Sequence, residues 1–332
     1  MPSSRAFRLP RAVDVEAAAA RLRGEIVTTP LLESPILNEK VGGRLLVKAE
    51  MFQRTGSYKF RGAFNRLSRL DGTERRRGVV AYSSGNHAQG VAAAARALDI
   101  PALIVMPSGA PTVKVAGTRS HGAEVVFYDE ASERREEVAE MLAGKRGATL
   151  VRPYEDVDVV AGQGTVGLEL AAQADAAQAA LDAVLVPCGG GGLVAGTALV
   201  LAKVCPAAEL WAVEPQGFDD TRRSLAAGER LEIAPGAKSF CDALLAPTPG
   251  KLTFALNRRL LAGGLAVDDA TVAAAMRDAF TYLKVVAEPG GAVALAAALS
   301  GAFDCRGKTV AVICSGGNVD PEAFGKVLGE TA

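Results

Sequence analysis

The chain has 332 residues, with 37 basic and 37 acidic side chains and an apolar share of 49%. This length suits about two domains or one large α/β domain. The balanced charge gives no reason to expect nucleic acid or a membrane surface as a partner. The sequence has no apolar run of ~18 residues, so no membrane span is expected. Five cysteines without a Cys-x-x-Cys pair indicate reduced thiols in a cytoplasmic protein. Residues 1–10 lack the apolar core of a signal peptide.

Strand-like and helix-like segments alternate along most of the chain. The pattern predicts strands at residues 44–50, 78–83, 102–107, 124–128, 183–187, 210–214 and 309–314. It predicts helices at residues 58–70, 87–98, 113–121, 132–142, 161–174 and 193–204. Several strand segments are apolar on both faces, as buried parallel strands are. The alternation therefore predicts an α/β fold with helices on both faces of parallel sheets.

Four polar or glycine-rich motifs lie where predicted strands end. They are Ser57-Tyr58-Lys59-Phe60-Arg61-Gly62, Ser83-Ser84-Gly85-Asn86-His87, Cys188-Gly189-Gly190-Gly191-Gly192-Leu193 and Cys314-Ser315-Gly316-Gly317-Asn318. In open α/β sheets, ligands bind outside the carboxyl ends of the strands. The positions of the motifs are therefore an independent reason to expect that they bind a ligand.

The third motif is a run of consecutive glycines, Gly189, Gly190, Gly191 and Gly192, between an apolar strand and an apolar helix. Such a loop lets main-chain N–H groups converge on an anion, and the helix N-terminus adds partial positive charge. The loop lacks the Gly-Lys-Ser/Thr ending of a nucleotide P-loop and the spacing of a dinucleotide site. A tight turn needed only for packing is the alternative interpretation.

Together, the order and content of the four motifs resemble the fold type II pyridoxal-phosphate enzymes, and within these the threonine/serine dehydratase and serine racemase branch. The resemblance runs from about residue 13 to residue 328. It implies an α/β fold like that of the tryptophan synthase β-subunit, with two open, twisted, mostly parallel sheets flanked by helices. It also implies a large coenzyme-binding domain at residues 1–52 and 147–332, a small inserted domain at residues 53–146, and a homodimer.

By this resemblance, Lys59 is the lysine that bonds covalently to pyridoxal 5'-phosphate. A lysine amine becomes neutral when it is desolvated, and it can then serve as the base that removes the substrate α-proton. Phe60 would lie against the coenzyme ring. Asn86 matches the residue that hydrogen-bonds the ring 3-hydroxyl, with a helix cap as the alternative role.

Three further features of the resemblance concern the coenzyme. The glycine run, with the N–H of Leu193, would hold the phosphate. Ser315 would face the pyridine nitrogen; a serine leaves the ring nearly neutral, which favours elimination of a β-substituent over transamination. Glu288 resembles an acid that lies near the coenzyme, and a structural role for it is equally open.

The substrate-binding residues implied by the resemblance are Ser83, Ser84, Asn86 and His87, which would hold the α-carboxylate. Ser84 could also act as an acid on the ring face opposite Lys59, as racemisation requires. Arg135 matches a residue near a distal carboxylate, which favours 3-hydroxyaspartate as substrate. Two observations conflict with this: the segment at residues 241–247 is apolar, and the neighbouring Arg134 suggests a merely charged helix face.

By the same resemblance, Glu214 and Asp220 match the divalent-metal site of the racemase branch, with main-chain carbonyl groups such as that of Phe218. Carboxylate and carbonyl oxygens suit Mg²⁺, Mn²⁺ or Ca²⁺. The alternative is a pair of solvated acids.

The sequence therefore predicts a pyridoxal-phosphate ammonia-lyase that converts a β-hydroxy amino acid to a 2-oxo acid and ammonia. L-Threonine and L-serine lead as substrates, followed by 3-hydroxyaspartate and phenylserine. The first rival is an amino-acid racemase that uses Lys59 and Ser84. A β-replacement synthase and a binding module without catalysis are further alternatives, but the lysine motif and glycine loop differ from those usual in the synthases.

Overall fold

A computed structural model describes residues 8–110 and 112–329. The expectation of no signal peptide rests largely on residues 1–7, which lie outside the described residues. No helix in the described part of the chain is long and apolar enough to cross a membrane.

The strands of the described chain form two sheets. In chain order they are β1 (Leu31–Glu33), β2 (Arg44–Ala49), β3 (Val79–Tyr82), β4 (Ala102–Pro107), β5 (Glu124–Tyr128), β6 (Thr149–Leu150), β7 (Ala183–Pro187), β8 (Glu209–Pro215), β9 (Gly263–Val267) and β10 (Thr309–Cys314). The larger sheet has the order β1-β2-β10-β7-β8-β9 and the smaller one β5-β4-β3-β6. Only β1 runs antiparallel to its neighbour; the other pairs in these two sheets are parallel. The predicted fold of two mostly parallel sheets is confirmed.

Helices connect the strands and cover the sheets. They are α1 (Ala12–Leu22), α2 (Pro35–Val41), α3 (Lys59–Ser68), α4 (Gly72–Arg77), α5 (Asn86–Ala97), α6 (Thr112–Ser120), α7 (Arg135–Arg146), α8 (Val157–Ala176), α9 (Gly192–Val204), α10 (Asp220–Ala227), α11 (Lys251–Leu260), α12 (Asp269–Asp278), α13 (Pro289–Leu299) and α14 (Pro321–Gly329). Helix α13 packs with α12 in the core on one face of the larger sheet, and α8 and α9 cover the other face. The larger sheet is therefore the middle of three layers.

Every predicted strand is present in the structure, whereas two helices begin three or four residues away from their predicted first residues. Helix α7 begins three residues later than predicted, because the main-chain N–H of Glu133 donates to the Asp129 carbonyl (2.8 Å) and closes a turn first. Helix α8 begins four residues earlier, because the Asp156 carboxylate accepts from the N–H groups of Asp158 (2.8 Å) and Val159 (3.2 Å) as an N-cap. Strands β1, β6 and β9 were not predicted: β1 and β6 have only three and two residues, and β9 begins with two glycines, which are unfavourable in strands.

The smaller sheet runs from Val79 to Leu150 in the chain. Its last strand, β6, pairs with β3 and lies beyond residue 146, where the small domain was predicted to end. The division into residues 53–146 and two flanking segments stays a prediction, because the sheets alone do not divide the chain.

A buried ion-pair network joins the larger sheet to helix α3. Arg61 of α3 donates through Nε and Nη2 to the two oxygens of Glu50 (2.8 and 2.7 Å), just after β2, and through Nη1 and Nη2 to Glu169 of α8 (both 3.2 Å). Lys48 of β2 donates to the same Glu169 (2.5 Å) and to the Thr29 carbonyl (2.7 Å). The side chains of Arg61, Glu50 and Lys48 are fully buried. Two positive and two negative groups balance, so the charges compensate one another.

Replacing Arg61 with methionine would leave the buried Glu50 without its guanidinium partner. We expect Arg61→Met to lower the free energy of unfolding by about 3–5 kcal/mol, because an uncompensated buried charge is costly. Urea denaturation of the coenzyme-free protein measures this. Arg146→Met is the matched control, since Arg146 forms an exposed pair with Glu124 (2.8 Å) and should change stability by less than about 1 kcal/mol. Equal losses in the two variants would contradict the expectation.

Candidate active site

The four motifs line one cleft of about 710 Å³. The strands β2, β10 and β7, which precede three of the motifs, are neighbours in the larger sheet, and β3 of the smaller sheet precedes the fourth. Main-chain contacts join the first and fourth motifs directly: Ser57 and Gly316 form an isolated bridge, and the N–H of Tyr58 donates to the Ser315 carbonyl (3.2 Å). The four motifs therefore converge on one cleft.

Most predicted coenzyme and substrate residues line this cleft. They are Lys59, Ser83, Ser84, Asn86, His87, Arg135, Gly189, Gly190, Gly191, Gly192, Leu193, Glu288 and Ser315. Phe60 does not line it. Its side chain is buried in the core beneath the smaller sheet, with its ring centroid 5.6 Å from that of Phe64. One residue further along a helix turns a side chain by about 100°, so the helix that directs Lys59 into the cleft directs Phe60 away from it.

The glycine loop presents unpaired main-chain donors to the cleft. The N–H groups of residues 189–193 have no acceptor in the part of the chain that the structure describes. The loop is held from behind, since the Gly190 carbonyl accepts from the Thr253 hydroxyl (2.6 Å). Gly191 has φ +88°, and a Cβ on Gly190 would overlap the Tyr154 ring. Free N–H groups at the start of α9 fit a phosphate group, while packing also requires these glycines.

Lys59 is the first residue of α3, and its amine lies 5.0 Å from the centroid of the Tyr58 ring. Helices α3 and α5 approach closely here, because Gly90 of α5 leaves no side chain to separate them: a Cβ there would lie 3.2 Å from the Lys59 Cβ. This close packing fixes the base of the lysine side chain while the amine reaches the cleft.

His87 is buried and neutral in this site. Burial, and then the nearby charge of Lys59, lower the pKa of the imidazole to about 3. Its Nε2 lies 3.1 Å from the Val151 carbonyl, to which it donates as the protonated nitrogen. The imidazole therefore brings no positive charge to a carboxylate, and the anion-binding groups of this loop are the main-chain N–H groups at the start of α5.

A chain of side-chain hydrogen bonds crosses the floor of the cleft. Asn318 Nδ2 donates to Asn86 Oδ1 (2.7 Å), and Asn86 Nδ2 donates to Glu288 Oε1 (2.6 Å). Burial raises the pKa of Glu288 to about 8, although the hydrogen bond from Asn86 opposes this shift. Sequence reasoning gave Asn318 no role, even though it ends the fourth motif.

The two neighbouring arginines have different surroundings. The Arg134 side chain is 79% exposed and lies near Glu137. Arg135 lines the cleft, where its guanidinium lies 5.8 Å from the centroid of the Tyr82 ring, and it also pairs with Glu136 (2.8 Å). Tyr154, which sequence reasoning missed, lines the same wall of the cleft. Of these two arginines, Arg135 is therefore the one that a ligand in the cleft can meet.

The predicted metal ligands lie together away from the cleft lining. Glu214 and Asp220 are buried, which rules out the alternative of two solvated acids, and Phe218 is buried beside them. The Glu214 carboxylate accepts from the N–H groups of Thr221 (2.9 Å) and Arg222 (2.8 Å). Both oxygens of Asp220 lack a partner among the described residues. Burial raises the pKa of Asp220 to about 7, and burial followed by the Asp220 charge raises the pKa of Glu214. An unpaired buried carboxylate beside a second one fits a hard divalent cation.

The chain is similar to known proteins both in sequence and in fold. Residues 22–316 match the family model described as pyridoxal-phosphate dependent enzyme. The chain belongs to this family. It is 44% identical over 315 residues to an L-threo-3-hydroxyaspartate ammonia-lyase of Pseudomonas sp, covering 95% of this chain and 97% of that protein. It is 38% identical over 315 residues to an L-threonine ammonia-lyase of Thermotoga maritima, covering 95% of this chain and 77% of that protein. The structure of maize serine racemase superposes with a TM-score of 0.91 at 37% identity, covering 96% and 97% of the two chains.

These relatives confirm the predicted branch of the family, that of the threonine/serine dehydratases and serine racemases. They also confirm the fold type II architecture that the motif order predicted. The residues at the cleft fit the coenzyme, since the free N–H groups of residues 189–193 face the same space as the Lys59 amine.

Adding a methyl group at Gly190 must displace the Tyr154 ring. We expect Gly190→Ala to weaken coenzyme binding by roughly tenfold or more, because overpacking costs about 1–3 kcal/mol. Equilibrium dialysis against pyridoxal phosphate measures the affinity. Gly144→Ala is the control, since a Cβ at Gly144 in helix α7 would meet open space; it should leave the affinity unchanged. Unaltered binding by Gly190→Ala would contradict the assignment.

Proposed function

We propose that this protein is a pyridoxal-phosphate-dependent ammonia-lyase whose substrate is a β-hydroxy amino acid with a second carboxylate, as in 3-hydroxyaspartate. The observation that carries this choice is Arg135, a cation that lines the same space as Lys59. A third cation of the cleft, Lys114, is paired with Asp242. The similarity to the Pseudomonas L-threo-3-hydroxyaspartate ammonia-lyase supports it. L-Threonine and L-serine follow as smaller substrates of the same chemistry.

The chemistry begins with the removal of the substrate α-proton. Bound pyridoxal phosphate supplies an electron sink for the charge that develops at the α-carbon. Lys59 is the proposed base, since its amine is the group in the cleft that can take up a proton next to a coenzyme held by the glycine loop. Ser315 is proposed to accept or donate a neutral hydrogen bond at the pyridine nitrogen, so that loss of the β-hydroxyl follows without a long-lived carbanion.

The substrate α-carboxylate is proposed to bind the loop that ends strand β3. Ser83, Ser84 and Asn86 line the cleft there, and the loop is shaped by the Ser83 hydroxyl, which accepts from the N–H of Gly85 (3.1 Å). The N-terminus of α5 adds N–H donors and partial positive charge. Because His87 is neutral, carboxylate recognition here depends on neutral donors.

Two kinds of side chain could meet the distal end of the substrate. Arg135 lines the cleft, and so does the apolar segment that includes Leu244 and Leu245. A second carboxylate would bind the guanidinium with charge-assisted hydrogen bonds. A methyl or phenyl group would instead rest on the apolar wall, which keeps threonine and phenylserine as alternatives.

The function is tested by a turnover panel on the coenzyme-loaded protein. It contains L-threonine, L-serine, both diastereomers of 3-hydroxyaspartate and phenylserine, with 2-oxo acid, ammonia and optical activity followed together. We expect equal amounts of 2-oxo acid and ammonia, fastest from a 3-hydroxyaspartate, and no turnover by Lys59→Ala. Absence of 2-oxo acid from every substrate would overturn the lyase proposal.

Replacing Arg135 with glutamine tests the distal carboxylate. We expect Arg135→Gln to lower kcat/KM for 3-hydroxyaspartate by roughly 10- to 100-fold, since a charge-assisted hydrogen bond contributes about 1.5–3 kcal/mol. The value for L-serine should change by less than about threefold, because serine has no group to meet the guanidinium. Arg134→Gln is the matched control, with the same charge change at an exposed side chain. Equal losses for both substrates would show that Arg135 serves the fold and not the substrate choice.

A racemase remains the second candidate function, because Ser84 lines the cleft with Lys59. Racemisation needs an acid on the face opposite the base, and a serine hydroxyl can serve. In the same panel, Ser84→Ala is expected to lose any racemisation while elimination continues. Racemisation that persists in Ser84→Ala would exclude Ser84 as the second acid.

We propose further that Glu214, Asp220 and the Phe218 carbonyl bind Mg²⁺, Mn²⁺ or Ca²⁺. The buried, unpaired oxygens of Asp220 support this site. Its expected effect is on stability, because an ion bound only by the folded chain stabilises it in proportion to the logarithm of its concentration.

The metal proposal predicts that millimolar Mg²⁺ or Ca²⁺ raises the Tm of the chelator-treated protein, and that removal with a chelator reverses the gain. Asp220→Asn should abolish the rise, because an amide in place of one carboxylate weakens the site. Asp304→Asn, a change at an exposed pair with Arg306, should keep the full rise. A rise of equal size in Asp220→Asn would place the ion elsewhere.

We also propose that the protein is cytoplasmic and forms a homodimer. The five cysteines of the chain are free thiols, and four of them are buried, which supports a reducing compartment such as the cytoplasm.

A homodimer is supported by the exposed apolar side chains of Phe280 (45%), Tyr282 (37%) and Val286 (40%). Size-exclusion chromatography with light scattering would give the molar mass of the protein in solution. The mass of a monomer at micromolar concentration would overturn the proposed homodimer.

A further inference from the structure

We propose that Asn318 is a positioning residue that fixes which end of the Asn86 amide faces the coenzyme. This inference rests on the proposed coenzyme site, in which Asn86 hydrogen-bonds the ring hydroxyl. Asn318 itself follows strand β10 and lies at the edge of the cleft.

The orientation of Asn318 is set by a main-chain carbonyl. Its Nδ2 donates to the Thr55 carbonyl oxygen at 2.7 Å and to Asn86 Oδ1 at 2.7 Å. A carbonyl oxygen only accepts, so Asn318 must present its NH₂ group on this side. Both N–H bonds of that group are then used. The direction of the Asn318 amide therefore follows from the backbone and not from another side chain that could itself turn.

The orientation of Asn86 follows from that of Asn318. Because Asn318 donates, Asn86 must turn its oxygen toward Asn318 and its NH₂ group away. One N–H of this group donates to Glu288 Oε1 at 2.6 Å. The other has no acceptor among the described residues, and Asn86 lines the cleft. The arrangement leaves one neutral donor for an oxygen of the bound coenzyme.

The backbone around Thr55 is shaped for this contact. Thr55 has φ 63°, which residues with a Cβ seldom adopt. Gly56 follows with φ +71°, and a Cβ there would overlap the Asn318 side chain. Strained backbone persists only where the surroundings hold it. Here the strained backbone at Thr55 places its carbonyl oxygen against Asn318. The segment that precedes Lys59 is therefore shaped to hold the Asn318 amide in one orientation.

Without the anchor, the two ends of the Asn86 amide would compete for the cleft. They have nearly the same shape and differ in hydrogen-bonding character. If Asn86 turned over, its oxygen would face the coenzyme hydroxyl oxygen, and the donor would be lost. Coenzyme affinity and the protonation of the ring hydroxyl would then both change.

The test uses Asn318→Asp, Asn86→Ala and the double variant, each titrated with pyridoxal phosphate. An aspartate accepts where Asn318 donates, so it favours the turned-over Asn86. We expect Asn318→Asp to weaken coenzyme binding by roughly tenfold and to shift the pH midpoint of the bound-coenzyme absorption spectrum. In the Asn86→Ala background, the same change should have little further effect, because the residue through which Asn318 acts is absent.

Two outcomes would overturn the inference. One is an Asn318→Asp protein with wild-type affinity and spectrum, and the other is an equal effect of Asn318→Asp with and without Asn86. If Asn318→Asp does not fold, Asn318→Ala replaces it in the cycle, with the same expectations at smaller size. If the wild-type protein binds no pyridoxal phosphate, the proposed function itself is overturned. If the wild-type protein binds it normally and the Asn318→Asp variant is unaffected, only the role of Asn318 is overturned.

Discussion

The buried ion pairs around Arg61 are the interaction on which the rest of the site depends. Arg61 lies two residues after Lys59, and it is held by Glu50, which directly follows β2 of the larger sheet, and by Glu169 of α8. Removing either kind of charge alone would leave the other buried without compensation. Because helix α3 carries both Arg61 and Lys59, the network fixes where the lysine amine enters the cleft.

The cleft combines this fixed lysine with groups that burial keeps neutral. Burial lowers the pKa of His87 to about 3 and raises that of Glu288 to about 8. The positive charges that a ligand meets are then few, and the glycine loop adds N–H donors without a formal charge. A phosphate and a carboxylate can bind in such a site while the lysine amine stays available as a base.

Much of the fold could be predicted from the sequence, because apolar runs and glycine loops are local signals. The strands β2, β3, β7 and β10 and the motifs that follow them are examples. Very short strands such as β6 carry too little pattern, and its pairing with β3 decides where the smaller sheet ends. Phe60 lies in the core and not at the cleft, because it is one helical residue, or about 100°, away from Lys59 on α3.

The sequence by itself determined the order of the motifs, the anion-binding character of the glycine loop and the presence of a lysine at the end of a strand. Only the tertiary structure decided that Arg135 and not Arg134 meets the cleft, that His87 is neutral, and that Asn318 bonds Asn86 across 232 residues of chain. The physical reason is that backbone pattern is local, whereas burial and hydrogen-bond partners arise when distant segments pack together.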